Sequence, residues 1–291
     1  MTLRPTAELV AAARAAGTAL GAFNVLSLDH AEAVAAGAAA AGAPALLQLS
    51  QNAIAFRGGP EPLLAACREI AAASSTPLGI HLDHIEDREL VDRVLARAAE
   101  LGVGSIMFDA STLDYEANVA ATREVAERAH EAGVWVEAEL GEIGGKDGAH
   151  APGVRTDPGE AAAFVAATGV DALAVAVGSS HAMLDRSARL DIPLIERLTE
   201  AVPVPLVLHG SSGVPDDEIA RAVAAGIRKV NVGTALNIAW TGALREQLAA
   251  QPEAVDPRKY TRAPRAAIAD LVAAFCDVVA PAATPATAST R

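Results

Sequence analysis

LGIHLDHIEDRELVDRVLARAAELGVGSIMFDA, residues 78–110, decides how this chain folds. It opens with an aliphatic run, 78–84, that reads as a buried strand, and continues through 86–102 with Ala, Glu and Arg at helical spacing. Gly102 closes the helix, and a second buried run starts at Ser105. The same grammar recurs along the chain as GAFNV (21–25), ALLQLS (45–50), VWVEAEL (134–140), ALAVAVG (172–178), LVLHG (206–210) and KVNVGT (229–234). Successive strand starts lie 24, 33, 27, 29, 38, 34 and 23 residues apart, which is what one strand plus its crossover helix requires.

Eight such units predict an α/β fold of the (β/α)8 TIM-barrel type. An extra N-terminal helix near 6–16 and a C-terminal helix near 264–279 are expected outside the ring. The alternative, an open doubly wound sheet, calls for a glycine-rich phosphate loop after its first strand, and GAFNVLSLDH offers none. Residues 1–280 are read as a single barrel domain and PAATPATASTR, 281–291, as a low-complexity tail.

Composition narrows the function. Of 291 residues 52% are hydrophobic and 20% charged, enough apolar material for a closed core, whereas aromatics are only 3%. The core must therefore pack small aliphatics closely. The net charge of −13 argues against nucleic acid and against an anionic membrane surface, since either selects a basic face. With no apolar run of spanning length, no leader-like segment and only Cys67 and Cys276, the sequence predicts a soluble cytoplasmic protein without disulfides.

In a barrel the chemistry sits at the C-terminal ends of the strands. Polar residues collect there: His81, Asp83 and His84, then Asp109, Glu137 and Glu139, His181, His209 and Asn231. His84, His181 and His209 bring three imidazoles to one mouth from three strands. Three nitrogen ligands with one open position are the pattern of a catalytic zinc (Zn2+) site. Asp83, beside His84, is placed to exchange a proton with a substrate hydroxyl. His81, one strand repeat earlier, is expected to support Asp83. Glu137 and Glu139 share a strand face and, with Asp109, form an acidic wall that a nearby cation would relieve. The loop 142–150 after strand 5 reads as a lid. His209-Gly210-Ser211-Ser212-Gly213 and Asn231-Val232-Gly233-Thr234 read as backbone cradles for a phosphate.

HLDH, MFDAS, VEAELGEIGG, LHGSSG and NVGT, in this order, resemble the class II (zinc-dependent) fructose- and tagatose-bisphosphate aldolases. The resemblance runs from Gly21 to the last helix. It implies that His84, His181 and His209 hold zinc, with Asp109 and Glu139 offering the ion an alternative inward position. It further implies that Asp83 serves as acid/base for the C4 hydroxyl, that Asn231 contacts the substrate at the bond being broken, and that Asp147 is the lid carboxylate. The implied substrate and phosphate set is Asn24, Gln48, Ser50, Gly178, Gly210, Ser211, Gly213, Gly233, Thr234 and Arg258, with a monovalent cation (Na+ or K+) beside the phosphate. The reaction implied is cleavage of a ketose 1-phosphate or 1,6-bisphosphate to dihydroxyacetone phosphate and an aldehyde, by a homodimer or homotetramer.

Four positions depart from the family pattern. Ala182 stands for a glycine, Asp147 for a glutamate, Gly233 is small as in tagatose-type members, and Asn237 stands where a cation grips the distal phosphate. A substrate with a different distal group, a zinc hydrolase and a non-catalytic sugar-phosphate binder are the alternatives. A Schiff-base route needs a lysine at a strand's C-terminal end. Lys146 is in the lid loop, Lys229 begins strand 8 at the opposite end and Lys259 is outside the barrel.

Overall fold

The computed structural model describes residues 2–140, 154–180 and 185–281. Strands β1 (Leu20–Asn24), β2 (Ala45–Ser50), β3 (Leu78–Ile85), β4 (Ser105–Phe108), β5 (Trp135–Glu139), β6 (Ala172–Ala174), β7 (Leu206–Leu208) and β8 (Ile227–Val232) pair in parallel in chain order. Pairing of β8 with β1 closes the barrel. The helices are α1 (Thr6–Ala16), α2 (Leu28–Ala41), α3 (Gln51–Phe56), α4 (Glu61–Ala73), α5 (Arg88–Leu95), α6 (Ala98–Leu101) and α7 (Tyr115–Glu131) in the first half. The second half adds α8 (Pro158–Thr168), α9 (Ile192–Ala201), α10 (Asp216–Ala225), α11 (Thr234–Ala250), α12 (Pro257–Tyr260) and α13 (Arg262–Val279).

Helix entries are pinned by short polar side chains. Asp87, Asp114, Asp157 and Asp191 each accept a hydrogen bond from a backbone N–H of the first turn of α5, α7, α8 and α9. Each satisfies a donor that the helix cannot, and so stiffens a loop on the face where the strands end.

The barrel interior is built from small residues. Leu20, Ala22, Leu46, Trp135, Ala172, Ala174, Ala176 and Val207 pack together with Leu9, Val10 and Ala13 of α1, which thereby closes the N-terminal mouth. α13 packs on α2, α10 and β1 and fills the ring place after β8, with α11 on its outer side. The aliphatic layer between strands and helices holds Cys67 and Cys276, both buried, and burial pushes both thiols up to about 12. No helix of the described residues is long and apolar enough to cross a membrane.

Three boundaries differ from the sequence reading. The helical run 86–102 is two helices, because Arg97 (φ −133, ψ 18) leaves the helical region between α5 and α6. β6 and β7 end before the polar residues that follow them, and β8 begins two residues before Lys229. Of the 281–291 tail, all but Pro281 lies outside the described residues.

The contact between α2 and α13 is close enough to exclude a methyl group. A Cβ at Gly37 would lie 2.4 Å from the Ala269 carbonyl oxygen and 2.7 Å from Val272 Cβ, whereas one at Gly242 in α11 would meet nothing within 4 Å. Replacing glycine by alanine inside a helix ordinarily stabilises by about 1 kcal/mol. We expect Gly242→Ala to follow that rule and Gly37→Ala to reverse it, destabilising by about 1–3 kcal/mol through overpacking. Urea unfolding of the two variants checks the opposite signs.

Candidate active site

Adjacent residues of a regular strand point to opposite faces, so Asp83 and His84 should not share the barrel mouth. The backbone resolves the conflict. His84 has φ 48, the only positive φ among the described non-glycine residues, and the β3–β4 register shifts between Leu82 and Ile85. This bulge turns both side chains toward the site, at the cost of a left-handed conformation that a histidine rarely adopts.

The structure brings Asp83, His84, Asp109, Glu139, His209 and Asn231 together. Asp83, His84 and His209 each present a ligand atom, all within 4.8 Å of one another, and His84, Asp109 and Glu139 do the same. The imidazoles of His84 and His209 meet edge to face, with centroids 4.8 Å apart. Carboxylates orient both rings. His84 Nδ1 lies 2.7 Å from Asp109 Oδ2, and His209 Nε2 lies 2.9 Å from Glu137 Oε1. A carboxylate only accepts, so these nitrogens carry protons, and His84 Nε2 and His209 Nδ1, the latter 3.7 Å from Glu139 Oε2, are the atoms that the neutral rings offer a cation. Ser111 donates to Asp109 Oδ1 through its hydroxyl at 2.6 Å. Asn118, buried on α7, donates to the Glu139 carbonyl at 3.1 Å and so anchors the end of β5.

Four carboxylates line this region, Asp83, Asp109, Glu137 and Glu139, none more than 3% exposed. Lys229, fully buried, is the ammonium set against them among the described residues. Such a surplus of carboxylate is costly in a low dielectric unless a cation shares it. Two lone-pair nitrogens beside carboxylate oxygens are the donor set of a divalent ion, so the residues present fit one.

Below the mouth lies a second polar layer. Lys229 Nζ is 2.7 Å from Asn231 Oδ1, 2.8 Å from Glu137 Oε2 and 3.4 Å from His81 Nε2. Asn231 Nδ2 donates to Asp83 Oδ1 at 3.1 Å. His81 does not support Asp83 as expected: its Nε2 is 4.0 Å from Asp83 Oδ1, and its Nδ1 bonds Ser105 Oγ at 2.8 Å. Burial, then the charge of Lys229, hold the His81 imidazole well below its usual range, so it is neutral.

The loops after β7 and β8 form one concave turn. Ser211 Oγ donates to the Asn231 carbonyl at 2.5 Å, and Ser212 Oγ accepts from Ala235 N–H at 3.0 Å in the first turn of α11. Gly210 has φ 66, and a Cβ there would sit 2.6 Å from the Ser180 backbone, so only glycine lets the turn press against the loop after β6. Gly178 belongs to that loop, Gly213 ends the short 3-10 turn Ser211–Gly213, and Thr234 starts α11. Gly233 abuts Asn24, whose Oδ1 accepts from Gln48 Nε2 at 2.7 Å. Ser50 caps α3 by accepting from Ala53 N–H.

Arg258 does not join the group. Its side chain is 89% exposed on α12 and closes back onto Asp256. His181 and Asp147 lie outside the described residues, as do Ala182 and the whole of the lid loop 142–150. Sequence reasoning passed over Asn118, and it placed Lys229 at the far end of strand 8. The Lys229 backbone is indeed low in β8, but its four-carbon stem climbs the lumen to the layer of Asn231. The available signal was that Lys229 and Asn231, two apart in a strand, share a face.

A family model described as fructose-bisphosphate aldolase class-II matches residues 4–283. The D-tagatose-1,6-bisphosphate aldolase subunit GatY of Klebsiella oxytoca is 37% identical over 260 residues, 88% of this chain and 90% of that protein. Among solved structures, the YdjI aldolase of Escherichia coli K12 is 30% identical with a TM-score of 0.80, covering 94% of this chain and 96% of that one. A fructose-bisphosphate aldolase of Campylobacter jejuni, 21% identical with a TM-score of 0.80 over 94% of both chains, matches in fold. The hydrolase and the non-catalytic binder are thereby set aside. With a closed barrel, strand-end donors and a family match over nearly its whole length, the chain belongs to the class II fructose-bisphosphate aldolases and is a carbon–carbon lyase.

Proposed function

We propose that this lyase cleaves a ketose 1-phosphate or ketose 1,6-bisphosphate, of tagatose or fructose type, to dihydroxyacetone phosphate and an aldehyde, with Zn2+ held by His84, His181 and His209. The observation that carries the reading is the convergence of Asp83, His84 and His209 within 4.8 Å, with both histidines oriented by carboxylates. Asp109 and Glu139, grouped with His84, are the alternative inward ligands. The ion supplies a Lewis acid for charge that develops on the substrate carbonyl oxygen.

The chain's own residues do the rest. Asp83, steadied by the Asn231 amide, takes the C4 hydroxyl proton. The O–H electrons form the aldehyde carbonyl as the C3–C4 bond breaks toward C3, and a proton returned to C3 by Asp147 completes the ketone product. Gly210, Ser211 and Gly213 in the turn after β7, with Gly233 and Thr234 at the start of α11, wrap the 1-phosphate through backbone N–H groups, and Gly178 and Ser50 stand at the rim. Asn24 and Gln48, bonded to each other, bound the C1 end of the sugar. A monovalent cation, Na+ or K+, sits beside the phosphate. A Schiff-base route is disfavoured because Lys229 is an ammonium held by Glu137 and Asn231 with no exposed surface.

The tagatose type is supported by the name of the Klebsiella relative and by Gly233, where an acidic side chain would press on Asn24. A homodimer or homotetramer is supported by α11, which buries only Leu236 and leaves Ile238 and Leu248 exposed.

Exhaustive chelation should abolish aldol cleavage and zinc restore it; activity that survives chelation and is trapped by borohydride overturns the metal assignment. Asp83→Asn should lower kcat by about 10²–10⁴-fold while leaving zinc content unchanged, read by steady-state kinetics with metal analysis. Because Asn237 is neutral, the preference for a 1,6-bisphosphate over its 1-phosphate should stay below about 100-fold, near 2.7 kcal/mol in kcat/KM.

A further inference from the structure

We propose that Lys229 is a positioning residue of the reaction, setting through one buried ammonium the orientation of both Asn231, which steadies the acid/base, and Glu137, which steadies His209. The assignment rests on the proposed aldol cleavage for its kinetic consequences and on geometry alone for its origin.

An ammonium has three N–H donors and no lone pair. Asn231 Oδ1 at 2.7 Å and His81 Nε2 at 3.4 Å lie within hydrogen-bond distance of the Lys229 ammonium, and Glu137 Oε2 is its ion-pair partner at 2.8 Å. This decides which end of each partner faces which way. An amide can be turned end for end with little change in shape, but only its oxygen can face an ammonium. Asn231 must therefore present Nδ2 to Asp83 Oδ1, where it is found at 3.1 Å. Turned the other way, the amide would set its oxygen against a carboxylate oxygen. Glu137 is held by Oε2, which leaves Oε1 to accept from His209 Nε2 and keeps the lone pair of that histidine on Nδ1. His81 must accept at Nε2, so its Nδ1 proton goes to Ser105 Oγ, which in turn donates to Thr6 Oγ1 at 2.7 Å.

The fold makes room for this group. In the β7–β8 pairing Leu206 faces Ile227 and Val207 faces Lys229, so Arg228 is an extra residue on β8. After that bulge Lys229 and Asn231 share the inner face, and β6 with the residues just after it places only Ala172, Ala174 and Ala176 beside the lumen. The competing explanation is a purely structural one, in which Lys229 merely compensates the buried charge of Glu137.

Two variant pairs separate the explanations, using the zinc-loaded full chain. Lys229→Met should be destabilised, because it leaves Glu137 without its cation. Lys229→Met/Glu137→Gln removes both charges and should regain most of the melting temperature. If Lys229 positions Asn231, kcat in this pair stays about 100-fold below that of Glu137→Gln alone, with KM little changed, since a freed amide misplaces Asp83. The double variant Lys229→Met/Asn231→Ala should be no slower than Asn231→Ala alone. Zinc affinity of Lys229→Met, measured by competition with a chromophoric chelator, should fall about tenfold through the loosened Glu137–His209 arm. Recovery of kcat together with stability overturns the proposal, as does a loss that adds to that of Asn231→Ala. If Lys229→Met does not fold, the charge-neutral pair carries the kinetic test. If the wild type cleaves no ketose phosphate, the proposed function has failed, and the same chelator competition on the charge-neutral pair or Lys229→Met still decides the positioning role: unchanged zinc affinity overturns it.

Discussion

Everything at the barrel mouth depends on one backbone conformation, the φ of 48 at His84. Without it the period-two alternation of β3 would send either Asp83 or His84 into the helix layer. A histidine in the left-handed region is strained, and the strain persists because the surroundings over-determine it. Asp109 fixes the ring from β4, Asn231 fixes the neighbouring carboxylate from β8, and the bulged register fixes the chain between them. A buried carboxylate and a metal-type imidazole one residue apart thus arise from a local departure from regular structure, as is common where function sets the geometry.

The lumen below answers a second demand, that of holding carboxylates away from water. The inner face of β6 is all alanine, and α1 seals the other mouth, so the lumen has room for long polar side chains and is closed at that end. Into it go Glu137, Lys229 and His81, all fully buried. A buried ion pair is weak evidence for stability, because desolvation offsets most of the Coulomb attraction, but it orients its partners strongly. That trade suits an active site, in which rotamers and tautomers matter more than net stability.

The fold was legible because barrels repeat. Eight aliphatic runs at near-constant spacing, each followed by a helix, admit few topologies, and the strand-end rule then pointed to Asp83, His84, Asp109, Glu139, His209 and Asn231. What could not be read were matters of reach and register. The φ at His84 leaves no mark on composition. Parity put His81 on the same face as Asp83, yet 4.0 Å separates their nearest polar atoms, and the bond to Asp83 comes from Asn231, 148 residues away. Lys229 was misjudged because the position of a Cα along a strand does not say where a flexible stem carries its ammonium. Arg258, exposed on α12, makes no contact with the site within one chain, and its part in phosphate binding is left to a neighbouring subunit.

The chain of polar groups from Thr6 through Ser105 and His81 to Lys229 crosses the barrel from its sealed end to the catalytic end. It has the outline of a proton wire, but its hydrogens all point one way, from the ammonium down to the threonine. Passing a proton along it would require Lys229 to give one up beside Glu137 and every link below to reverse together. The sealed end is thus poorly placed to carry protons, and in the proposed reaction Asp83 exchanges them through the open mouth, with the substrate or solvent.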